Sequence, residues 1–289
     1  MGSAWILRGN FTSRPHIGAG NTGSKRTALS QTSVLRYPMD EHVILEAHNV
    51  GLSYRQRTGV LRFNHFWALE DVSFTLRAGE TLGVIGANGA GKSTLLRMIA
   101  GITEPDRGSL RRQPGLNASL LALSVGFKPE LSGRENVVIG GLLLGLSLKR
   151  VRALMDEIRA FSDLGEFFER PVGTYSTGMR ARLGFAVAIH ADPDIMLIDE
   201  VLGVGDESFK MKSQQAMRDK IRAKKTVVLV SHSMEAIQSL CDRVIWLHKG
   251  RSICCGPTDE VIAGYLETIR LAVKAEQATE RATRKANAA

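Results

Sequence analysis

Gly86-Ala87-Asn88-Gly89-Ala90-Gly91-Lys92-Ser93 is the stretch on which the reading of this chain turns. It fits the pattern G-x-x-x-x-G-K-[ST]. The short apolar run Thr81-Leu82-Gly83-Val84-Ile85 precedes it as an expected buried strand. Leu95 to Ala100 follows as an expected helix, with Gly101 as its stop. Glycines let the backbone curl until its N–H groups converge on phosphate oxygens, and the helix N-terminus adds partial positive charge. On this reading Gly86, Asn88, Gly89, Gly91, Lys92, Ser93 and Thr94 form a nucleotide-phosphate site. Lys92 reaches the β- and γ-phosphates, and the Ser93 hydroxyl is a ligand for Mg²⁺. The bare pattern also fits a glycine-rich turn with a chance lysine; a strand before and a helix after favour the phosphate site.

A second constellation follows at Ile195-Met196-Leu197-Ile198-Asp199-Glu200. A buried strand ending in a carboxylate brings Asp199 to the Mg²⁺ shell beside the phosphates, and the next residue, Glu200, is placed to polarise an attacking water. Taken alone, such a pair also serves as a helix cap. His232 follows the apolar run Val227-Val228-Leu229-Val230, where a neutral imidazole contacts a γ-phosphate. A lone His after a strand is more often a surface residue, so this role depends on its company.

The rest of the chain reads as α/β. Val43-Ile44-Leu45 and Val72-Ser73-Phe74-Thr75-Leu76 suggest strands, the latter antiparallel by its alternation. Ile195–Ile198 and Val227–Val230 suit a parallel sheet covered on both faces. Val244-Ile245-Trp246-Leu247 predicts another strand, and Val261 to Ile269 a closing helix. The stretch from about Glu135 to Glu169, rich in Leu, Ala, Arg and Glu, is expected to be helical throughout.

At 289 residues and 44% hydrophobic, the chain is long enough to bury a full α/β core. Its net charge of +9 is concentrated at the ends. Residues 1–38 carry Arg8, Arg14, Lys25, Arg26 and Arg36 with no acid. Residues 270–289 carry Arg270, Lys274, Arg281, Arg284 and Lys285 against Glu276 and Glu280. The body between is close to neutral, so the total does not indicate a basic nucleic-acid face on the fold. Cys241, Cys254 and Cys255 make no disulfide framework and have no zinc-ligand spacing around them, which points to reduced thiols. No run reaches the length needed to span a bilayer. The nearest, Val137 to Leu148, is interrupted by Gly140, Gly141, Gly145 and Ser147 and is expected to be a buried helix. Residues 1–38 read as a disordered leader, or as an extra start with Met39 as the initiator.

Between the two nucleotide motifs stands Tyr175-Ser176-Thr177-Gly178-Met179, followed by Arg180-Ala181-Arg182-Leu183. By itself it fits a helix cap at Ser176. In this order and company it resembles the signature motif of ABC ATPases, and the resemblance runs from about Val43 to Leu266. It implies a P-loop NTPase fold of the ABC type, with a RecA-like core, an antiparallel β subdomain and a helical subdomain at about 132–190. The implied nucleotide-binding domain spans 39–269, followed by a basic tail at 270–289. Tyr54 becomes the aromatic that stacks on adenine. Ser176 and Gly178 become a second cradle, which closes over ATP held by the opposite subunit. Asp206, in Gly203-Val204-Gly205-Asp206, matches the loop that communicates across the dimer, Glu200 the catalytic base, and His232 the switch residue.

Three stretches resemble, within that family, the subunits that export O-antigen, capsule or teichoic acid. They are Val125-Gly126-Phe127-Lys128-Pro129-Glu130-Leu131-Ser132-Gly133-Arg134-Glu135-Asn136, the Tyr-Ser-Thr-Gly-Met signature, and Asp199 to Asp206. The family's Gln between P-loop and helical lobe is missing near Leu123–Phe127, and Gln113 comes too early. A C-terminal carbohydrate-binding domain, present in some members, is not expected after Leu266. The resemblance implies ATP and Mg²⁺, a homodimer, and two copies of a separate transmembrane permease docking at Phe127–Leu131 and the lobe beyond. It also implies a lipid-linked polysaccharide as cargo, no nucleic acid, and a peripheral place on the cytoplasmic face of a bacterial inner membrane. The competing readings are an ABC importer, a soluble ABC-type ATPase acting on nucleic acid or ribosomes, and a nucleotide-binding module without turnover.

Overall fold

The computed structural model describes residues 42–57, 63–121, 126–199, 206–231 and 233–287. All belong to the unit Met39–Ala289; the other unit, Met1–Pro38, lies outside the described residues, and so does the expectation for the leader.

The chain opens with two long strands, β1 (Val43–Arg57) and β2 (Phe63–Arg77), paired antiparallel. Next come β3 (Thr81–Ile85) and helix α1 (Lys92–Ile99), then two short strands, β4 (Arg107–Arg112) and β5 (Ala118–Leu120). Helices α2 (Gly133–Leu143), α3 (Leu148–Ser162) and α4 (Thr177–Ala191) form a helical stretch. Strand–helix alternation resumes with β6 (Ile195–Asp199), α5 (Glu207–Arg222), β7 (Thr226–Val230) and α6 (Met234–Leu240). The hairpin β8 (Arg243–His248) and β9 (Arg251–Pro257) leads into α7 (Thr258–Asn287).

Among the described residues the strands form one sheet in the order β4-β1-β2-β9-β8-β3-β7-β6-β5. The run β8-β3-β7-β6-β5 is parallel, while β4-β1-β2 is antiparallel. The two parts meet where β2 pairs β9 through Asp71 and Arg251 alone. That seam is reinforced by Glu70 and Asp71, whose N–H groups both donate to Gly250 O, at 2.6 and 3.2 Å. The Arg251–Glu70 ion pair adds to it at 2.6 Å.

The parallel strands are apolar at every turn because both faces are covered. Leu82, Val84, Val228, Val230, Ile195 and Leu197 pack toward α1 in one buried cluster. Their neighbours Ile85, Val227, Leu229, Met196 and Ile198 pack with Phe185 of α4, Phe209 and Met217 of α5, and Ile237 of α6 in another. The helical stretch has a third core of its own, with Val137, Val151, Ile158, Phe168 and Leu183 at its centre.

Several expectations are corrected. The stretch 135–169 is not one continuous helix. It breaks at Leu144–Ser147, where Ser147 Oγ accepts from Arg150 N to cap α3, and it ends in a 3-10 turn at Gly165–Glu169. The apolar run from Val137 is accordingly a helix only to Leu143, and Leu142 and Leu143 are exposed rather than buried. The closing helix does not stop at Ile269: α7 runs on to Asn287. Alanines at 272, 275, 278, 282 and 286, with no Gly or Pro after Gly264, favour helix throughout that stretch. The edge strand β4 carries the polar sequence Arg-Gly-Ser-Leu-Arg-Arg, which gives no apolar signal to read.

Candidate nucleotide-binding site

The loop between β3 and α1 curls as the glycine pattern requires. Gly86 and Gly91 take φ values of 149° and 104°. A Cβ at Gly86 would sit 2.2 Å from Leu247 O, and one at Gly91 would sit 2.6 Å from both Ala68 O and a Leu69 methyl. Both positions therefore demand glycine for conformation and for space. Lys92 is buried and lies back over the loop, with Nζ donating to Gly86 O at 2.7 Å and to Ala87 O at 3.1 Å. The first turn of α1 presents Ser93 outward.

Gly91, Lys92 and Ser93 line a cleft of about 370 Å³ together with Tyr54, Phe66, Ala68, Asn88, Gly89, Thr94, Asp199 and Val230. That size lies within the usual range for small-ligand sites. Gly86 is buried beneath it. Tyr54 and Phe66 are register partners across β1 and β2, and both are exposed at the mouth. Asp199 ends β6 beside Val230 at the end of β7, so the carboxylate shares the cleft with the Ser93 hydroxyl. Two hard oxygen donors beside a phosphate-binding loop suit Mg²⁺, which keeps waters and phosphate oxygens as its other ligands. Glu200 and His232 lie outside the described residues.

The signature residues form a second cleft, of about 360 Å³, lined by Asp163, Leu164, Phe167, Ser176, Gly178, Met179, Arg182 and Asp206. Ser176 is the N-cap of α4, and its Oγ accepts from Met179 N at 3.1 Å. The residue that caps α4 thus also lines the cleft. Tyr175 is buried and donates its hydroxyl to Phe167 O at 2.6 Å. Burial pushes its phenol above the ordinary value, and the nearby Glu169 carboxylate pushes in the same direction. Asp206 is the N-cap of α5: Oδ1 accepts from Phe209 N at 2.9 Å, while Oδ2 pairs with the Arg182 guanidinium.

The polar stretch before α2 is tied to the signature. Asn136 is fully buried: its Oδ1 accepts from Lys128 N at 2.7 Å, and its Nδ2 donates to Lys128 O, Leu131 O and Ser132 O. The loop it holds is joined in turn to the chain just ahead of Tyr175, with Gly173 N donating to Pro129 O and Val172 N to Leu131 O. Ser132 and Glu135 close a capping box over α2. Phe127, half-buried, lines an apolar groove of about 290 Å³ with Ala100, Ile102, Leu120, Leu143 and Val187.

The two clefts share no lining residue. The structure gathers Tyr54, Asn88, Gly89, Gly91, Lys92, Ser93, Thr94 and Asp199 in one, and Ser176, Gly178 and Asp206 in the other. Sequence reasoning missed Phe66, Ala68 and Val230 in the first and Asp163 and Arg182 in the second. Phe66 was accessible only through the β1–β2 register, which shifts at Leu52/Ser53 and is not readable from alternation. Arg182 was readable as a residue two turns into the signature helix, but its partners come from two other helices.

Comparison with known proteins identifies the family. The family model described as "ABC transporter" matches residues 69–203. The O-antigen export system ATP-binding protein RfbB of Klebsiella pneumoniae is 41% identical over 233 residues, covering 81% of this chain and 94% of that protein. RfbB of Myxococcus xanthus is 50% identical over 205 residues, and the teichoic acids export ATP-binding protein TagH of Lactococcus lactis is 48% identical over 200. This chain spans under half the length of those two relatives, 47% and 42% respectively. A dimeric ATP-binding cassette solved in a post-hydrolysis state with ADP and Pi superposes with a TM-score of 0.61 at 22% identity, over 74% of this chain and 99% of that one. With its P-loop cleft and its separate signature cleft, the chain belongs to the ATP-binding proteins of the ABC transporter family.

Proposed function

We propose that this chain is the ATP-hydrolysing subunit of a bacterial exporter that drives a lipid-linked polysaccharide across the inner membrane. The observation that carries the mechanism is the separation of the two clefts on one chain. A phosphate held over Lys92 is met by no signature cradle of its own subunit. Two copies paired head to tail supply each nucleotide with a P-loop from one chain and Ser176 with Gly178 from the other.

In that dimer the P-loop N–H groups and Lys92 bind the phosphates, and Tyr54 takes the adenine face. Ser93 and Asp199 hold Mg²⁺, which supplies charge neutralisation at the phosphate oxygens. Glu200 polarises the attacking water and accepts its proton, and His232 contacts the γ-phosphate. Asp206 carries the state of the signature cleft toward the opposite site. No helix among the described residues is long and apolar enough to cross a membrane. As in the export systems for which its relatives are named, the energy of closure passes to a separate membrane subunit, present in two copies. Its docking surface is the apolar groove at Phe127 and the loop that Asn136 holds, because that loop is hydrogen-bonded to the chain leading into the signature. On this reading the protein sits at the cytoplasmic face, attached through its partner.

The cargo class rests on the relatives, named for O-antigen and teichoic acid export, and on the Val125–Asn136 and Asp199–Asp206 stretches. Nucleic acid is disfavoured because the excess basic residues lie in the terminal segments, outside both clefts.

The test replaces the wild-type protein in its host with Glu200→Gln and assays lipid-linked glycan on the cytoplasmic side. Glycan accumulating inside with loss of the surface polymer supports export. Lost ATPase activity with no accumulation overturns the cargo and leaves the ATPase. Wild-type hydrolysis in the variant removes Glu200 from the role of base.

A further inference from the structure

We infer that the outer half of α7 is an interaction surface for a second copy of this chain, on which the two α7 helices run antiparallel; the inference rests on the head-to-tail dimer proposed above. The topology gives the direction of the helix. Trp246 of β8 is level with Ile85, the residue before the P-loop, while Arg243 is level with Leu82 and paired with Pro257. α7 therefore starts at the far end of the parallel strands, where Thr258 Oγ1 donates to Cys241 O at 2.7 Å. It rises along β8, with Val261 and Ile262 buried in the core and the Tyr265 ring 5.4 Å from that of Trp246. At Tyr265 it has reached the level at which the P-loop begins. Residues 266–287 remain, about 33 Å of helix at about 1.5 Å per residue. They run on past the edge of the sheet that carries the P-loop and Asp199, the edge that a second copy must face. Every residue from Leu266 to Ala272 is exposed, and so is Lys274.

The charges on α7 are divided along its length. Before Arg270 it carries only acids, Asp259, Glu260 and Glu267; from there on Arg270, Lys274, Arg281, Arg284 and Lys285 stand against Glu276 and Glu280. Acids in the first turn and bases in the last complement the helix dipole, but Glu267 and Lys274 lie beyond its reach. At seven-residue spacing, which keeps to one side of a helix, positions 260, 267, 274 and 281 read Glu, Glu, Lys, Arg. Glu260, Glu267 and Lys274 are exposed, and none of them is paired with a charge among the described residues.

A second α7 running parallel would set Glu on Glu and Lys on Lys. Running antiparallel about a two-fold axis, it sets Glu267 opposite Lys274 of the second copy and, in the same register, Glu260 opposite Arg281. Leu271, 60% exposed, neighbours both Glu267 and Lys274 on the helix surface and lies next to that axis, where it meets its own counterpart. The head-to-tail dimer is also two-fold, and its facing sheet edges send the two helices in opposite directions. Charge pattern and topology thus call for the same partner in the same orientation.

The experiment measures the dimer dissociation constant of the full chain by sedimentation equilibrium, with Mg²⁺ and a non-hydrolysable ATP analogue, together with thermal melting. Glu267→Lys and Lys274→Glu are each expected to weaken the dimer about five- to tenfold, because symmetry turns each reversal into two repelling contacts. The double variant exchanges the two charges and is expected to return to within about twofold of the wild type. Leu271→Asp is expected to weaken the dimer about tenfold. Melting of the dilute monomer is expected to stay unchanged in all four, since the side chains are exposed.

Wild-type dimer constants in both single reversals overturn the surface and leave the nucleotide-driven dimer standing. A double variant as weak as the worse single one overturns the antiparallel pairing. Wild-type protein that co-sediments with vesicles of phosphatidylglycerol and phosphatidylethanolamine, and loses this in Lys274→Glu while the dimer constant holds, assigns the helix to anionic lipid and overturns the inference as well. A wild-type chain that stays monomeric with the analogue bound overturns the reading on which the inference rests.

Discussion

Tyr54 and Phe66 stand directly opposite each other on β1 and β2, and both line the cleft that contains Lys92 and Ser93. The phosphate loop sits on the parallel strands, so this aromatic pair offers the antiparallel part's contribution to the same ligand. Base–aromatic stacking contributes about 1–3 kcal/mol per base. Tyr54→Ala and Phe66→Ala are each expected to weaken ATP binding about tenfold, measured by titration calorimetry, with smaller effects on inorganic triphosphate. Equal losses for both ligands would place the pair away from the base.

Phe127→Asp puts a charge into the apolar groove beside Ile102 and Leu143. The tagged variant is expected to lose most of its sedimentation with host membranes while its ATPase in detergent-free solution changes less than about twofold, because the groove is not part of either cleft. Undiminished membrane association would take the groove out of the docking role. The melting temperature of the variant separates loss of docking from loss of fold.

Asn136→Ala leaves Lys128 N without its acceptor, while Lys128 O, Leu131 O and Ser132 O each lose one donor and keep a backbone N–H. An unsatisfied group of this kind costs about 1–3 kcal/mol, so urea unfolding is expected to report a loss in that range. A loss below about 1 kcal/mol would mean that the loop finds other partners when Asn136 is cut back.

The end of α4 gives a test of pH dependence. Burial pushes the Asp192 carboxyl up, but Lys220 and Lys225, both 2.8 Å away, outweigh it and hold the group below its ordinary value. The folded value is the lower one, so this stabilisation is present above the unfolded carboxyl's value, about 4, and is lost as the pH falls through the folded value. Asp192→Asn is expected to lower stability at pH 7 by less than about 1 kcal/mol, since the group is over a third exposed, and to match the wild type near pH 2. Melting curves across that range check it; an unchanged gap at low pH would mean that charge is not the cause.

How far the sequence disclosed this molecule follows from where its signals are local. The P-loop was legible because glycine at 86 and 91 answers to the backbone itself, and β6 and β7 because a strand covered on both faces must be apolar at every position. The break at Leu144–Ser147 was hidden inside a run of good helix formers, although Ser147 was a readable cap. The length of α7 was hidden by its charge, which suggests a solvated tail as readily as a helix. Phe66 and Arg182 were illegible for a different reason. Each acquires its place from a partner distant in the chain, and no spacing rule reaches across a bulged strand register or from one helix to the helices before and after it.

The thin seam between β2 and β9 gives the bound nucleotide a mechanical office as well as a chemical one. Asp71 with Arg251 is the one ladder pair there, backed by the Glu70 and Asp71 amides on Gly250 O. A ligand that lays its base on Tyr54 and its phosphates on Lys92 joins the two parts of the sheet that this seam holds, like a clasp across the spine of a book. The amides of Glu70 and Asp71 then become internal gauges of occupancy, with hydrogen exchange slowing as the clasp closes, in a place that neither phosphate nor base touches.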